Sequence, residues 1–106
     1  MCTGAHEFGQ KHQEYFLDWD TSGENGNKNE KIVLKKAQAK YKSVGCKTFG
    51  SFPKHGIFVI ITNGKGYALG AGDNMKNSLS DAEVAFHSSR MWKKGEPYTI
   101  IEKHSF

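Results

Sequence analysis

The chain has 106 residues, of which 37% are hydrophobic and 25% are charged, and its formal net charge is +4. This length suffices for one small domain with a single core, and the composition favours a globular over a disordered chain. No apolar run approaches the roughly 20 residues that a membrane-spanning helix needs, so we expect no membrane partner.

The first thirty residues differ in charge from the rest of the chain. They contain six acidic residues and two lysines, whereas residues 31–106 contain thirteen basic and five acidic residues. We therefore expect one domain over residues 1–106, with an acidic helical leader and polar loop at 1–29 and a basic α/β body at 30–106. Two roles are open: the leader docks on the body and neutralises it, or the body attracts an anionic partner.

Aromatic residues recur along the leader at helical spacing. They fall at i, i+4, i+7, i+8 and i+11, which predicts a helix over residues 5–18 with one aromatic face. This face is either core or a protein-binding surface, since Trp and Tyr dominate interface energetics. The candidate protein-binding residues are Tyr15, Phe16 and Trp19.

The segment that follows resembles the first half of an EF-hand calcium loop. Asp18-Trp19-Asp20-Thr21-Ser22-Gly23 fits the D-x-D-x-S-G start of that family, and the predicted helix leads into it. The resemblance implies Asp18, Asp20 and Ser22 as oxygen ligands. Asn29 stands where the family has a bidentate glutamate, so the resemblance implies a weak site, and a solvated loop is the alternative.

Six lysines and no acidic residue occur between residues 31 and 47. A second helix is predicted to begin near residue 29 or 30 and to end at Gly45. At about 100° per residue the lysines form two rows that flank a strip of small residues, which suits a phosphate backbone. An ordinary solvated face is the alternative. The candidate polyanion-binding residues are Lys31, Lys35, Lys36, Lys40, Lys42 and Lys47.

The densest glycine cluster, NGKGYALGAGDN, follows the apolar strand HGIFVIIT. Asn63-Gly64 predicts a tight hairpin turn, because such turns need positive φ angles. Asp73 and Asn74 stand where a phosphate-binding loop needs a lysine and a hydroxyl, so the cluster is interpreted as a hairpin. Glycines within its return strand indicate a bulge or a close backbone approach.

A capping box at residues 80–83, SDAE, predicts a third helix from about Asp81 to Lys94, stopped by Gly95 and Pro97. The sequence YTIIEKHSF then predicts a closing strand. The fold class is therefore α+β in the order α–α–β–β–α–β, with a small antiparallel sheet of about three strands and helices packed on one face. The closing strand offers an edge for pairing in a homodimer.

The closing strand also supports an enzymatic alternative. Glu102 and His104 lie two residues apart and leave the same face, and His87 and Arg90 are neighbours on the preceding helix. A base, an acid and a cation are what a metal-independent ribonuclease needs. The favoured hypothesis is a non-catalytic binding or regulatory protein for a protein or nucleic-acid partner, without a cofactor or metal.

The two cysteines, Cys2 and Cys46, form neither a CxxC motif nor a disulfide framework. No secretory signal is visible, which makes a cytoplasmic location the default expectation, and a signal already removed would leave no trace. Two reduced thiols are then expected, with a single bridge as the alternative.

Overall fold

A computed structural model of the chain describes residues 1–7, 12–19, 26–48 and 56–105. Within these residues the protein is α+β and forms two compact units, Met1–Phe52 and Pro53–Phe106. Each unit combines one three-stranded antiparallel sheet with one helix. The predicted fold class is confirmed, but the strands belong to two sheets where one was expected. The boundary between the units does not coincide with the predicted boundary between leader and body.

The first unit contains strands β1 (Cys2–Ala5), β2 (Glu14–Phe16) and β3 (Ser43–Cys46) and helix α1 (Gly26–Gln38). The strand order is β2–β1–β3, so the short first strand is central. Because side chains alternate along a strand, Cys2 shares one face of the sheet with its partners on both sides. That face packs on α1, and the core consists of Cys2, Val33 and Ala37 with Phe16, Leu34 and Val44 beside it.

The predicted helix over residues 5–18 is wrong. Ala5 belongs to β1, and Glu14–Phe16 form β2. Phe8, the first aromatic residue of the predicted helix face, lies outside the described residues. The helical spacing of the aromatic residues is real, but Tyr15 and Phe16 also have high strand propensity, and their backbone pairs with β1. Pairing with a neighbouring strand therefore overrides the local pattern.

The second predicted helix exists with different bounds. It begins at Gly26 and ends at Gln38, so Gly45 lies in β3 instead of stopping the helix. Val33, Leu34 and Ala37 of this helix face the core. The chain leaves the helix early because residues 43–46 pair with β1. Cys2 and Cys46, one of the pairs, are 44 residues apart in sequence, and no helical pattern reveals a partner at that separation.

A disulfide joins Cys2 and Cys46, which corrects the expectation of two reduced thiols. The two residues lie directly opposite each other on β1 and β3. Cys2 is fully buried against α1, whereas Cys46 is exposed. The spacing of the two cysteines in sequence does not indicate a disulfide, because strand register is what brings Cys2 and Cys46 together.

The second unit contains β4 (Ile57–Thr62), β5 (Tyr67–Gly72), helix α2 (Met75–Ser88) and β6 (Thr99–Ser105). The strand order is β5–β4–β6, and the hairpin between β4 and β5 is confirmed. Its loop comprises residues 63–66, and of its first two residues only Gly64 has a positive φ angle. The turn is thus longer than the tight two-residue turn expected.

Helix α2 begins six residues before the predicted Asp81. Asn74 caps it by accepting a hydrogen bond from the N–H of Asn77 at 2.9 Å, so the capping-box residues Ser80 and Glu83 lie inside the helix. Asn is as good an N-cap as Ser, and the sequence does not decide between the two. The helix ends at Ser88, well before Gly95, and Trp92 turns back to stack on Phe86 with ring centroids 6.0 Å apart.

The glycines in β5 mark a close backbone approach, which was one of the two predicted alternatives. A Cβ atom at Gly70 would lie 2.2 Å from both the carbonyl oxygen of Ser78 and the amide nitrogen of Ala82. Real Cβ contacts are never that short, so α2 can sit at this distance from β5 only because position 70 has no side chain. This approach buries Val59, Ile61 and Ala68 of the sheet against Ala82 and Phe86 of the helix.

We expect Gly70→Ala to lower the free energy of unfolding by about 3 kcal/mol, at the upper end of the range for overpacked cores, because its methyl group meets helix backbone. Gly45→Ala is the matched control, since a Cβ there meets nothing within 4 Å. That variant should be neutral or slightly stabilising. Urea unfolding of both variants measures the difference, and equal stabilities would contradict the close approach of α2 to β5.

Candidate functional site

Four exposed lysines lie along α1. They are Lys28, Lys31, Lys35 and Lys36, and at about 100° per residue they fall within an arc of about 140°. The centre of this arc is opposite the buried Val33 and Ala37. We call these four lysines the basic face of α1. Ile32 lies within the arc and is 36% exposed.

The basic face differs from the two predicted lysine rows. Lys31, Lys35 and Lys36 belong to it, but Lys40 and Lys42 follow the end of the helix and Lys47 follows β3. The structure therefore does not arrange the six candidates as two parallel rows. Sequence reasoning missed Lys28, because it placed the start of the helix at residue 29 or 30.

Acidic side chains are not part of the basic face. Within the described residues none of its four lysines forms an ion pair. Glu30, the acidic residue of the same helix, lies about 160° around the axis from Lys28 on an α-helix of 100° per residue. The face thus carries four positive charges that no neighbouring carboxylate of the described chain neutralises.

Lys40 instead belongs to a polar cluster at the C-terminal end of α1. Its ammonium lies 2.6 Å from Oε2 of Glu14 on β2, and the hydroxyl of Tyr41 donates to the same oxygen. The Tyr41 ring covers Gly4, where any Cβ would lie 2.6 Å from the ring. The centroid of the His6 ring lies 4.9 Å from the centroid of the Tyr41 ring. This ion pair joins one acidic residue of the leader to one of the six candidate lysines.

The three groups of the cluster shift one another's protonation. The hydrogen bond from Lys40, followed by that from Tyr41, lowers the pKa of Glu14. The hydrogen bond to Glu14 raises the pKa of Lys40 and is also the main cause that raises the pKa of Tyr41. The Lys40 and Glu14 side chains are 58% and 41% exposed, so the ion pair contributes little to stability.

The candidate protein-binding residues do not form one surface. Tyr15 and Phe16 are consecutive on β2, so their side chains leave opposite faces of the sheet. Phe16 packs beside the core of the first unit and contacts Tyr41 edge-on, with ring centroids 6.1 Å apart. Trp19 follows the strand and is 37% exposed. The predicted aromatic helix face is therefore absent from the described part of the chain.

The four candidate catalytic residues are brought together only in part. His104 and Glu102 do interact, with Nε2 3.0 Å from Oε1. They pair with Phe58 and Ile60 on β4, which point away from the face that Val59 and Ile61 present to α2. His87 lies on α2 and Arg90 just after it, on the opposite side of the sheet.

The separation of these groups leaves Glu102 and His104 without the cation that the ribonuclease hypothesis requires from Arg90. A β-bulge between Ile60 and Ile61 also shifts the register of β6, so the simple alternation expected along the closing strand ends there. Sequence spacing correctly placed the Glu102–His104 pair because the residues are two apart on one strand. It could not place the helix relative to that face.

The calcium-loop candidates are only partly described. Asp18 is exposed, and Asp20 and Ser22 lie outside the described residues. The strand β2 precedes this segment, whereas the EF-hand resemblance requires a helix there. No group of three potential metal ligands occurs among the residues that the structure describes.

The chain was compared with models of protein families, with curated proteins and with solved structures, and none of them matches it. Among the described helices none has the length and apolar character needed to cross a membrane.

Replacing Glu14 by Gln tests the polar cluster. We expect the pKa of Tyr41 to return towards its ordinary value, because the charged acceptor of its hydroxyl proton is lost. Phenolate absorbance during an alkaline titration measures this, with Tyr41→Phe to assign the signal, since the pKa of Tyr98 is also raised. Coincident titration curves for wild type and Glu14→Gln would contradict the assigned cause.

The same variant should change the pH dependence of stability at both ends. Because the pKa of Glu14 is lowered in the folded state, Glu14 stabilises that state at pH values above its ordinary pKa. This contribution disappears as the pH falls through the lowered pKa. Because the pKa values of Lys40 and Tyr41 are raised in the folded state, these groups stabilise that state at pH values below their ordinary pKa values. This contribution disappears as the pH rises through the raised pKa values. Melting temperatures in acid and alkali should therefore depend less on pH in Glu14→Gln.

Proposed function

We propose that the protein is a non-catalytic binding protein that attaches to the phosphate backbone of a nucleic acid through the basic face of α1. The observation that carries this proposal is the set of four exposed lysines on one helix face, none of which is paired with a carboxylate among the described residues. Lysine ammonium groups bind phosphate as point charges and release condensed counterions, which drives association.

The dimensions of the basic face suit a short stretch of backbone. Lys28 and Lys36 are eight residues apart, which is about 12 Å along a helix. Phosphates on one strand of a duplex advance by about 3.4 Å along its axis, so this face spans three to four of them. Its chemistry supplies charge without base-edge readers, and we therefore expect salt-sensitive binding with weak sequence preference.

Aromatic stacking does not contribute to this face. Its exposed apolar residue is Ile32, an aliphatic side chain that cannot stack on bases as an aromatic ring does. Trp19 is exposed but does not belong to α1. A protein partner bound through Tyr15, Phe16 and Trp19 is the weaker hypothesis, because these residues do not share one surface.

Neutralising two lysines tests the proposal. We expect Lys31→Gln combined with Lys35→Gln to weaken binding to RNA and duplex DNA and to reduce the log–log salt slope by about 2, since each duplex phosphate contact contributes about 0.9. Fluorescence anisotropy of labelled oligonucleotides at several salt concentrations measures both. The matched control is Lys93→Gln with Lys94→Gln, which removes the same charge at exposed positions of the second unit.

Equal losses in the two double variants would show that net charge alone is responsible and would overturn the assignment to α1. Gel analysis of the same RNA tests the enzymatic alternative, because cleavage that His104→Ala abolishes would make the protein a hydrolase. Sedimentation of the same samples tests the homodimer hypothesis, in which β6, at the edge of its sheet, pairs with a second copy.

The compartment is a separate proposal. A cytoplasmic location was the default expectation, but cellular glutathione and thioredoxin keep thiols reduced there. The Cys2–Cys46 bridge favours an oxidising compartment instead, and we propose that the protein works in one. Acid-quenched native cells treated with a maleimide label give the measurement, since the chain has only two cysteines. No adduct supports the proposal, and two adducts support the cytoplasmic location.

A further inference from the structure

Asn63 lies in the loop between β4 and β5, and its side-chain amide forms a hydrogen bond at every available position. The amide nitrogen donates to the carbonyl oxygen of Met91 at 2.8 Å and to Oε1 of Glu96 at 2.9 Å. The amide oxygen accepts from the backbone N–H groups of Lys65 at 3.0 Å and Gly66 at 3.1 Å. A carboxamide has two donors and two acceptor lone pairs, so its capacity is fully used.

The residue after Asn63 makes this amide chemically reactive. Gly64 has no Cβ, so its backbone nitrogen is sterically free to attack Cγ of Asn63. A bond from that nitrogen to Cγ forms, the bond from Cγ to Nδ2 breaks, and ammonia leaves with the proton of the attacking nitrogen. Water then opens the cyclic imide at either carbonyl group, which gives aspartate or isoaspartate at position 63. The reaction requires no oxidant, metal or enzyme.

The attacking nitrogen is held as well. The N–H of Gly64 donates to Oγ1 of Thr62 at 3.1 Å, and the hydroxyl of Thr62 donates to the carbonyl oxygen of Gly66 at 2.7 Å. Attack on Cγ requires the hydrogen bond from the N–H of Gly64 to Thr62 to break and the Asn63 carboxamide to rotate. Both movements break hydrogen bonds that the folded loop makes.

We propose that Asn63 is a latent site of spontaneous modification, and that two features set the rate: its own hydrogen bonds to Met91 and Glu96, and the hydrogen bond from the N–H of Gly64 to Thr62. The segment after α2 protects the site because Met91 and Glu96 belong to it. Trp92 supports the same segment, since its indole N–H donates to the carbonyl oxygen of Glu96 at 2.8 Å. When the segment moves away from the loop, the amide is released and can react.

The modification is irreversible in its structural effect. The product carboxylate has no N–H to donate to Met91 or Glu96, and it carries a negative charge at the place where the amide nitrogen lies 2.9 Å from Glu96. Like charges at this distance repel. The segment that contains Met91 and Glu96 then no longer packs against the loop, so a chain modified while this segment is open stays open.

The test compares conversion at Asn63 in folded wild type, in wild type unfolded in urea, and in two variants that each remove one part of the protection. Glu96→Ala removes an acceptor of the amide, and Thr62→Val removes the acceptor of the Gly64 N–H. We expect each variant to convert about tenfold faster than folded wild type, because one hydrogen bond to a charged or buried group is worth about one decade. Peptide mass spectrometry with separation of isoaspartate measures the rates.

Three controls make the result specific. Glu96→Gln keeps an oxygen acceptor and should convert as slowly as wild type, and Lys65→Gln changes an exposed side chain that takes no part in the protection. The second Asn-Gly pair, Asn25-Gly26, calibrates the chemistry in urea. Circular dichroism shows whether each variant is folded. If Glu96→Ala does not fold, the conversion rate of Thr62→Val alone tests the proposal. The proposal is overturned if folded and unfolded wild type convert Asn63 equally fast, or if the folded variants convert at the wild-type rate.

Discussion

The bond between Cys2 and Cys46 is the constraint on which the first unit depends. Cys2 lies on the central strand, opposite both Phe16 and Cys46, and its side chain contacts the helix core at Val33 and Ala37. A unit of about fifty residues buries a smaller share of its surface than a larger domain does, so its stability from packing is marginal and a covalent bond adds to it. Closing a loop with a sequence separation of 44 removes about 4 kcal/mol of unfolded-state entropy in the chain-entropy model. The position of α1, and with it the direction of its basic face, follows from this bridge.

The second unit is organised by a different constraint, the short distance between α2 and β5. Gly70 allows this distance, and the buried hydroxyl of Ser78 fixes the helix along the sheet by donating to the carbonyl oxygen of Ile57 at 2.7 Å. Asp81 accepts a hydrogen bond from the N–H of Ala71 at 3.1 Å, so the helix also occupies part of the outer edge of β5. Packing and polar contacts therefore replace the covalent bond that organises the first unit.

Local signals predicted the parts of the fold that local interactions form. The apolar strand at Ile57–Thr62 and the Asn63-Gly64 hairpin are neighbours in sequence, and both were predicted. The glycines of β5 also indicate a bulge or a close approach from sequence alone, and the structure shows the close approach. The Glu102–His104 pair could be predicted for the same reason, because two residues on one strand suffice to define it.

The features that sequence reasoning missed depend on long separations or on equivalent local choices. Glu14 and Tyr41 are 27 residues apart, and only the pairing of β2 with β1 and the end of α1 bring them together. The sequence pattern assigns Ser43 and Val44 to the end of a helix because it does not reveal their strand partners, Ala5 and Gly4. Asn74 and Ser80 both satisfy the rules for an N-cap, and the burial of Ser78 selects the earlier one.

Lysine spacing on α1 bears on the proposed function because part of it opposes the stability of the helix, whereas Lys35 and Lys36 in the last turn interact favourably with the helix dipole. Lys31 and Lys35 are four residues apart and Lys28 and Lys31 are three apart, and like charges at these spacings destabilise a helix by about 0.2–0.5 kcal/mol per pair. Alternating acidic residues would remove this cost, and the nearby acid Glu14 pairs with Lys40, which lies outside the basic face. A helix that served only to cover the core of the first unit would need Val33 and Ala37 but not this arrangement of lysines. An anionic partner that neutralises the face would convert the repulsion into binding free energy, and this is the physical reason for which we propose a binding role for α1.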